Sequence, residues 1–392
     1  MLSFSWNNDT MPIPIPEAIK PTILEAPYPN PLDVNEINSL IQLDMGKFDF
    51  ELKKAKNIVL IVEDSSRMSN TKDLVRAICN NIQKSRGNLS GFEIIIAAGA
   101  HYEIYPNDLF NKIDLKMPFS IHDCKDTGNL ITMKSKRRNV PFLFNKKVVQ
   151  ADLRFTISTM NIHPLVGLSG GGKALLPGIA GLQTIEAFHS LPPGKPGNES
   201  SPMRELIKEV LEVLPIHHSW HLLSNPDGYI VKINSGKVDD SFHQSAKELL
   251  KLVTVNKPNW LADILFLGCR PFNQNLIGTF KSLHQIPKLL KPAGKVILLN
   301  EAPQGIGFHH WRTEPQVIAT QKNLYQQQFN NFQIGVFSPQ TTNEQFRMIF
   351  PETFQLLKER AELLNFIEIP ELKNKNTARV IAIPFAPITL IH

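Results

Sequence analysis

The 392-residue chain has only three cysteines, Cys79, Cys124 and Cys269, far apart and without a Cys-x-x-Cys pair. That spacing argues against a disulfide framework or a thiolate zinc site, and it fits a reducing compartment. No stretch approaches the ~20 apolar residues of a membrane span. The opening MLSFSWNNDTMPIPIP also lacks the basic region and apolar run of a secretion signal. Neither sign of charge prevails strongly: 42 Lys and Arg stand against 36 Asp and Glu, a net +6. So small an excess is a weak argument for nucleic acid and suits anionic small molecules equally well. The expectation is a cytoplasmic protein with neither a nucleic-acid nor a membrane partner. Hydrophobic residues at 42% and charged ones at 20% exclude global disorder and supply a sizeable core.

At ~150 residues per domain the length predicts two or three domains. Residues 12–31 carry seven prolines and read as an extended arm lying on something else. Buried strands are predicted at Asn57–Val62, Phe92–Ala98 and Leu153–Ser158, with helical periodicity over Thr71–Ser85. Strands separated by helices imply parallel βαβ units. A second set follows: strands at Asp263–Leu267, Lys295–Leu299, Gln333–Phe337 and Ala378–Ile383, and helices over Leu276–Leu290 and Asn343–Leu364. The predicted fold is α/β, two domains with largely parallel sheets and an active-site cleft between them. The boundary falls near Lys257-Pro258, giving an N-terminal domain at 1–257 and a Rossmann-like domain at 258–392.

The most informative segment runs from His163 through Lys173 to Gly181, with a short helix predicted to end at His189. Six of the 21 glycines fall in residues 167–181. Glycine at that density lets backbone N–H groups approach an anion closely. Gly167 to Lys173 formally matches the opening of a P-loop. A P-loop needs Ser or Thr next to bind Mg²⁺, whereas Ala174 follows here, and Pro177-Gly178 interrupt the helix that should begin. Polar groups also follow two other predicted strands: Asp64, Ser66 and Arg67 after the first, His101 after the second. In open α/β sheets ligands bind beyond the carboxyl ends of the strands, so Asp64, Arg67, His101 and His163 are expected to converge.

These residues resemble the nickel-dependent lactate racemase family. Asp64-Ser65-Ser66-Arg67-Met68 resembles its Asp-x-Thr-Arg-Pro motif, and Gly99-Ala100-His101-Tyr102 its Gly-x-His-Arg motif. His163 through Lys173 match His-x-x-x-Gly-x-Ser-Gly-Gly-x-Lys without a gap, and His189 falls at the family's spacing. The resemblance implies a nickel-pincer nucleotide, a pyridinium-3,5-bisthiocarboxylic acid mononucleotide holding nickel, attached covalently to Lys173. It implies Ser66, Ser169, Gly170, Gly171 and Gly172 as further cofactor contacts and His189 as the nickel ligand. It also implies His101 and His163 as acid/base pair, Arg67 and Lys281 as partners of a substrate carboxylate, and Asp64 beside them. The implied reaction inverts a 2-hydroxy acid through reversible hydride transfer to the cofactor, and cofactor-building enzymes become partners in maturation. The chemistry suits the residue types: imidazole binds nickel, and a guanidinium forks onto carboxylate.

The sequence departs from the family in its substrate wall: Gly278 replaces a glutamine, Ile277 a tyrosine, Tyr102 an arginine and Met68 a proline. Such changes imply the same chemistry on a 2-hydroxy acid larger than lactate, or a homologue that binds nucleotide and metal without turnover. A P-loop NTPase is the rival enzyme class. His217 and His221 have helical zinc-pair spacing, but His218 stands where His-Glu-x-x-His has its glutamate, and the three read as a surface or interface cluster; His309-His310 read the same way. Lys134, Lys136, Arg137 and Arg138 read as a solvated loop. Pro192–Gly197 reads as a stiff exposed loop, either a lid or a plain connection.

Overall fold

The computed structural model describes residues 2–6, 9–13, 15, 19–135, 141–367 and 378–392. Contacts divide the chain into two compact units, Tyr28–Lys251 with His309–Trp311, and Met1–Pro27 with Leu252–Phe308 and Arg312–His392. The chain passes from the first of these units to the second at 251/252. The first 27 residues, however, group with the second unit rather than the first.

In the unit of Tyr28–Lys251 six strands form one sheet: β1 (Ile58–Glu63), β2 (Phe92–Ala97), β3 (Phe119–Ile121), β4 (Leu153–Thr159), β5 (His218–Ser224) and β6 (Ile230–Gly236). Their spatial order is β6-β5-β4-β1-β2-β3. Every neighbouring pair is parallel except β5 with β6. Ile58, Leu60 and Val62 of β1 point into one core and Val59 and Ile61 into another, so the strand is covered on both faces. This is the physical reason that it is a continuous apolar run. Helices α1 (Val34–Gly46) and α2 (Lys72–Arg86) pack on the first face through Ile37, Ile41, Leu74 and Ile78. Helices α3 (Leu182–His189) and α4 (Pro202–Val213) pack on the second through Ile185, Phe188, Leu206 and Val210. The Asp33 side chain caps α1 in a reciprocal box with Glu36.

In the other unit six parallel strands run in the order Phe354–Leu357, Gln333–Phe337, Leu290–Leu299, Ala262–Gly268, Val380–Ile383, Thr22–Ile23. The proline-rich arm supplies the edge strand Thr22–Ile23. Leu2, Phe4, Ile13 and Ile19 cover the sheet face that carries Ile264, Phe266 and Ile297. Two predicted helices differ. Asn343–Leu364 divides into Asn343–Ile349, the strand Phe354–Leu357 and Arg360–Ile367, because Pro351 cannot continue a helix. Leu276–Leu290 becomes 3₁₀ turns, a short helix at Ile286–Leu289 and the start of a strand. No helix of the described residues is long and apolar enough to cross a membrane.

Candidate active site

Three parallel strands deliver their carboxyl ends to functional residues. Beyond β1, the Asp64 carboxylate is 2% exposed and lies 2.6 Å from His101 Nδ1, which follows β2. Ser66 donates to Asp64 from both its hydroxyl, at 2.5 Å, and its amide, at 3.1 Å. Arg67 Nη1 in turn donates to Ser66 Oγ at 3.1 Å. Burial opposes ionisation of Asp64, but His101, Arg67 and Ser66 outweigh it and hold the carboxyl well below the usual carboxylate range. An ionised carboxylate at this distance fixes the His101 proton on Nδ1, which leaves the Nε2 lone pair as the basic atom. Asp64, Arg67 and His101, three of the four residues expected to converge, thus lie in one hydrogen-bonded group together with Ser66. Behind them lies a feature the sequence reading missed. Partly buried Glu63, its carboxyl pushed up by desolvation, accepts the Thr159 amide at 2.9 Å, and buried Lys112, pushed down to about 8 by desolvation, donates to the Ser69 carbonyl at 2.6 Å.

His163 has a different character. It lies on a two-residue strand paired antiparallel with Gly167–Leu168. Its Nδ1 accepts the amides of Leu165 and Val166, each at 3.2 Å. Two N–H donors on Nδ1 keep that nitrogen unprotonated, so the ring carries its hydrogen on Nε2. His101 therefore presents a base and His163 a donor.

The glycine run is a buried scaffold rather than an open phosphate nest. The Ser169 amide donates to Asn161 O and its hydroxyl to Thr159 O, both at 2.8 Å. The Gly171 amide donates to His221 Nε2 at 2.9 Å. Gly170 has φ +89°, and a Cβ there would lie 2.3 Å from Met160 Sδ. Arg204, buried against the Phe242 ring, donates to the carbonyls of Gly170 and Leu168. Lys173, in the 3₁₀ turn Gly171–Ala174, is partly exposed between buried neighbours. No α-helix opens at Lys173, which removes the geometry a P-loop requires.

His221 corrects an expectation. His218 and His221 lie buried on an inner strand of the sheet rather than in a surface or interface cluster, while His217 is partly buried just before it. His221 Nδ1 is 3.0 Å from Ser241 Oγ, whose hydroxyl donates to Lys237 O at 2.8 Å, so the ring is neutral with Nε2 accepting. Burial, then the Arg204 charge, pushes its pKa down to about 3. The unfolded chain takes up this proton at an ordinary histidine pKa, so stability should fall as pH drops from about 6.5 toward 3. His221→Ala should remove that dependence and cost about 1–3 kcal/mol for the stranded Gly171 N–H, before any cavity cost. Urea unfolding at neutral and mildly acid pH measures both, and an unchanged slope with pH would assign the acid sensitivity elsewhere.

His189 closes α3, and its Nδ1 donates to the Ile185 carbonyl at 2.8 Å, leaving the lone pair on Nε2. Its ring stacks on Trp311, with centroids 4.4 Å apart and planes at 19°. The sequence reading missed Trp311 and took its neighbours His309-His310 for a surface or interface cluster. Both are only partly exposed: His309 forms a β-bridge and an edge contact with His101, and His310 stacks on Tyr102 with centroids 4.3 Å apart. The Pro192–Gly197 loop is tied down by Gly194 N to Leu165 O and Gly197 N to Gly167 O, a fixed connection rather than a detached lid. Lys281 belongs to the other unit, its Nζ 3.1 Å from the Phe272 ring centroid. There Gly278 serves close backbone approach, because a Cβ would lie 1.7 Å from Phe272 O. That glycine does not open a substrate wall. Of the basic run, Lys134 ends a strand, while Lys136, Arg137 and Arg138 lie outside the described residues.

Known proteins resemble this chain in sequence and in fold. The profile of the lactate racemase N-terminal domain covers residues 6–201, half of the chain. Lactate racemase of Thermoanaerobacterium thermosaccharolyticum is 26% identical over 288 residues, 66% of this chain and 64% of that protein. Lactate racemase of Lactiplantibacillus plantarum is 23% identical over 275 residues, again 66% of this chain and 64% of the relative. The matched stretch thus spans somewhat less than two thirds of each curated relative. Among solved structures, the T. thermosaccharolyticum lactate racemase apoprotein superposes with a TM-score of 0.78 at 20% identity, covering 100% of this chain and 99% of that one. A Thermotoga maritima protein superposes at 0.65 with 14% identity, over 93% of this chain and 99% of that one. With half of its length matching the family profile and its α/β fold shared, the chain belongs to the lactate racemase N-terminal domain family.

Proposed function

We propose that the protein is an isomerase, a racemase or epimerase of a 2-hydroxy acid, working with a nickel-pincer nucleotide carried on Lys173. The observation that carries this reading is the Asp64–His101 dyad: a buried ionised carboxylate sets one histidine as a base at the carboxyl ends of parallel strands. The residues present fit the cofactor. His189 has its Nδ1–H on a backbone carbonyl and its ring clamped by Trp311, the orientation that second-shell contacts impose on metal-binding imidazole. Lys173 is the partly exposed side chain of its turn. The roles of Ser169, Gly170, Gly171 and Gly172 shift from touching phosphate to shaping that turn. When bound, the cofactor would supply the acceptor for hydride from the carbinol carbon.

The chain's own residues do the rest. Arg67 pairs with the substrate carboxylate. His101 Nε2 takes the hydroxyl proton, and Asp64 stabilises the imidazolium that results. His163 holds the substrate oxygen through Nε2–H. We further propose a substrate larger than lactate. Ile277 and Tyr102 stand where the family has tyrosine and arginine, whereas Gly278 packs against the Phe272 carbonyl and bears no relation to substrate size. The three buried free thiols suit a cytoplasmic setting.

The test is co-expression with the cofactor-building enzymes, then intact mass, nickel analysis and assay against a size series of single-enantiomer 2-hydroxy acids. We expect a nucleotide-sized adduct, bound nickel and isomerisation fastest with an acid larger than lactate. Adduct without isomerisation of any acid would make the protein a silent binder. Lactate with the highest kcat/KM would overturn the size argument alone.

A further inference from the structure

Outside the residues assigned above, one cluster of unlike metal-binding side chains stands out. Asp123 and Cys124 follow β3, and His310 comes from far along the chain, yet one ligand atom from each lies within 4.8 Å of the other two. We infer that Asp123, Cys124 and His310 form a second metal site, for a borderline divalent cation such as Zn²⁺, with a water in the fourth position.

The backbone around the three ligands is built rather than loose. Asp123 Oδ1 accepts the Lys125 amide at 2.8 Å, which closes the turn and fixes that carboxylate. The Cys124 carbonyl accepts the Leu182 amide at 2.9 Å, anchoring the turn to the start of α3. Residue 122, just before the pair, is fixed twice: its amide donates to Ile96 O at 3.0 Å, and its imidazole Nε2 lies 2.9 Å from Ala180 O. On the other side, the His310 amide donates to Ala100 O at 2.9 Å and its ring stacks on Tyr102. Tetrahedral zinc with bonds of about 2.0–2.3 Å holds its ligands roughly 3.5 Å apart, so ligand atoms within 4.8 Å of one another stand little more than an ångström from that spacing.

The donor set selects the ion. One thiolate and one imidazole favour zinc and its neighbours in the first transition row over calcium or magnesium, which take oxygen ligands. Cysteine spacing in the sequence carried no sign of this, because only one ligand is a cysteine and the third stands nearly two hundred residues away. The consequence is mechanical. His310 precedes Trp311, the residue stacked on His189, and follows His309, the residue bridged to His101. A cation here would pin the tripeptide His309–Trp311 to the turn at Asp123–Cys124. It would thereby steady the ring that orients His189, without sharing a ligand with it.

The test needs neither the nucleotide cofactor nor catalytic activity. The full chain is produced without maturation enzymes, in a His189→Ala background, stripped with chelator and titrated with Co²⁺ as a spectroscopic substitute for Zn²⁺. We expect one equivalent to bind with a thiolate-to-cobalt charge-transfer band in the near ultraviolet, displaced by Zn²⁺. Cys124→Ser should abolish the band, and His310→Ala and the exposed Asp123→Asn should each weaken binding by at least tenfold. Asp123→Asn changes a surface side chain, and thermal melting confirms that each variant is folded. Absence of the band in the parent chain overturns the proposal, as does a band that survives Cys124→Ser or an affinity untouched by His310→Ala. Because no step depends on the nucleotide or on hydroxy-acid turnover, this proposal and the isomerase reading fail separately.

Discussion

Replacing Asp64 by asparagine is expected to lower kcat of the cofactor-loaded enzyme by roughly 10²–10⁴-fold while leaving its nickel content unchanged. In the native protein the Oδ2 atom faces His101 Nδ1 at 2.6 Å and Oδ1 receives Ser66. In the variant, Ser66 keeps the amide oxygen, so the NH₂ group faces His101. Nδ1 must then accept, the ring hydrogen moves to Nε2, and the base is lost without any change in shape. A companion comparison tests the asymmetry between the two histidines. His163→Gln retains an N–H donor and should keep more activity than His101→Gln, which has no basic nitrogen. Equal losses would mean that both act as bases. Stability offers a separate readout. Asp64 ionises more readily folded than unfolded, so its contribution is present above the ordinary carboxylate pKa, near 3.9, and disappears as pH falls through the folded value. The stability difference between Asp64→Asn and the native protein should therefore shift in the variant's favour in acid. A difference independent of pH would show that folding leaves the Asp64 pKa unchanged, and one that moves against the variant in acid would show that Asp64 is held neutral in the fold.

Lys173→Ala is expected to abolish the covalent adduct altogether, even when the maturation enzymes are present, and with it all isomerisation. Ser169 to Gly172 on one side and Ala174 to Leu176 on the other are buried, so Lys173 is the amine that the turn leaves partly exposed. His189→Ala should give the complementary result, an adduct of nucleotide mass with nickel lost, because removing the imidazole removes the protein ligand and not the anchor. Intact mass spectrometry and metal analysis on the same preparations separate the two. An adduct persisting in Lys173→Ala would place the anchor elsewhere. Nickel retained in His189→Ala and lost in His163→Ala would exchange the histidine roles.

Local pattern carried much of the architecture. The runs at Ile58–Glu63, Phe92–Ala97 and Leu153–Thr159 were legible because strands covered on both faces are apolar throughout. Thr71–Ser85 was legible because one face of α2 must be apolar, and its observed range is Lys72–Arg86. Asp64 and His101 could be foreseen together because parallel strands end on one side of a sheet. The errors share a cause. The helical spacing of His217 and His221 said nothing, since the segment is a strand whose partners are distant in sequence. Asn343–Leu364 had the right residue types for a helix, and Pro351 broke it.

What the sequence determined by itself, then, was the α/β class, the parallel strand ends and the residue types gathered at them, because each follows from short-range periodicity or from a motif contiguous in the chain. Only the tertiary structure decided the protonation pattern and the supports. The Leu165 and Val166 amides make His163 a donor. His221 and Arg204 turn the glycine run into a buried scaffold. Trp311, more than a hundred residues beyond His189 in the chain, orients its ring. Hydrogen-bond direction and ring stacking depend on atoms a few ångströms apart in space, and their separation along the chain leaves no periodic trace.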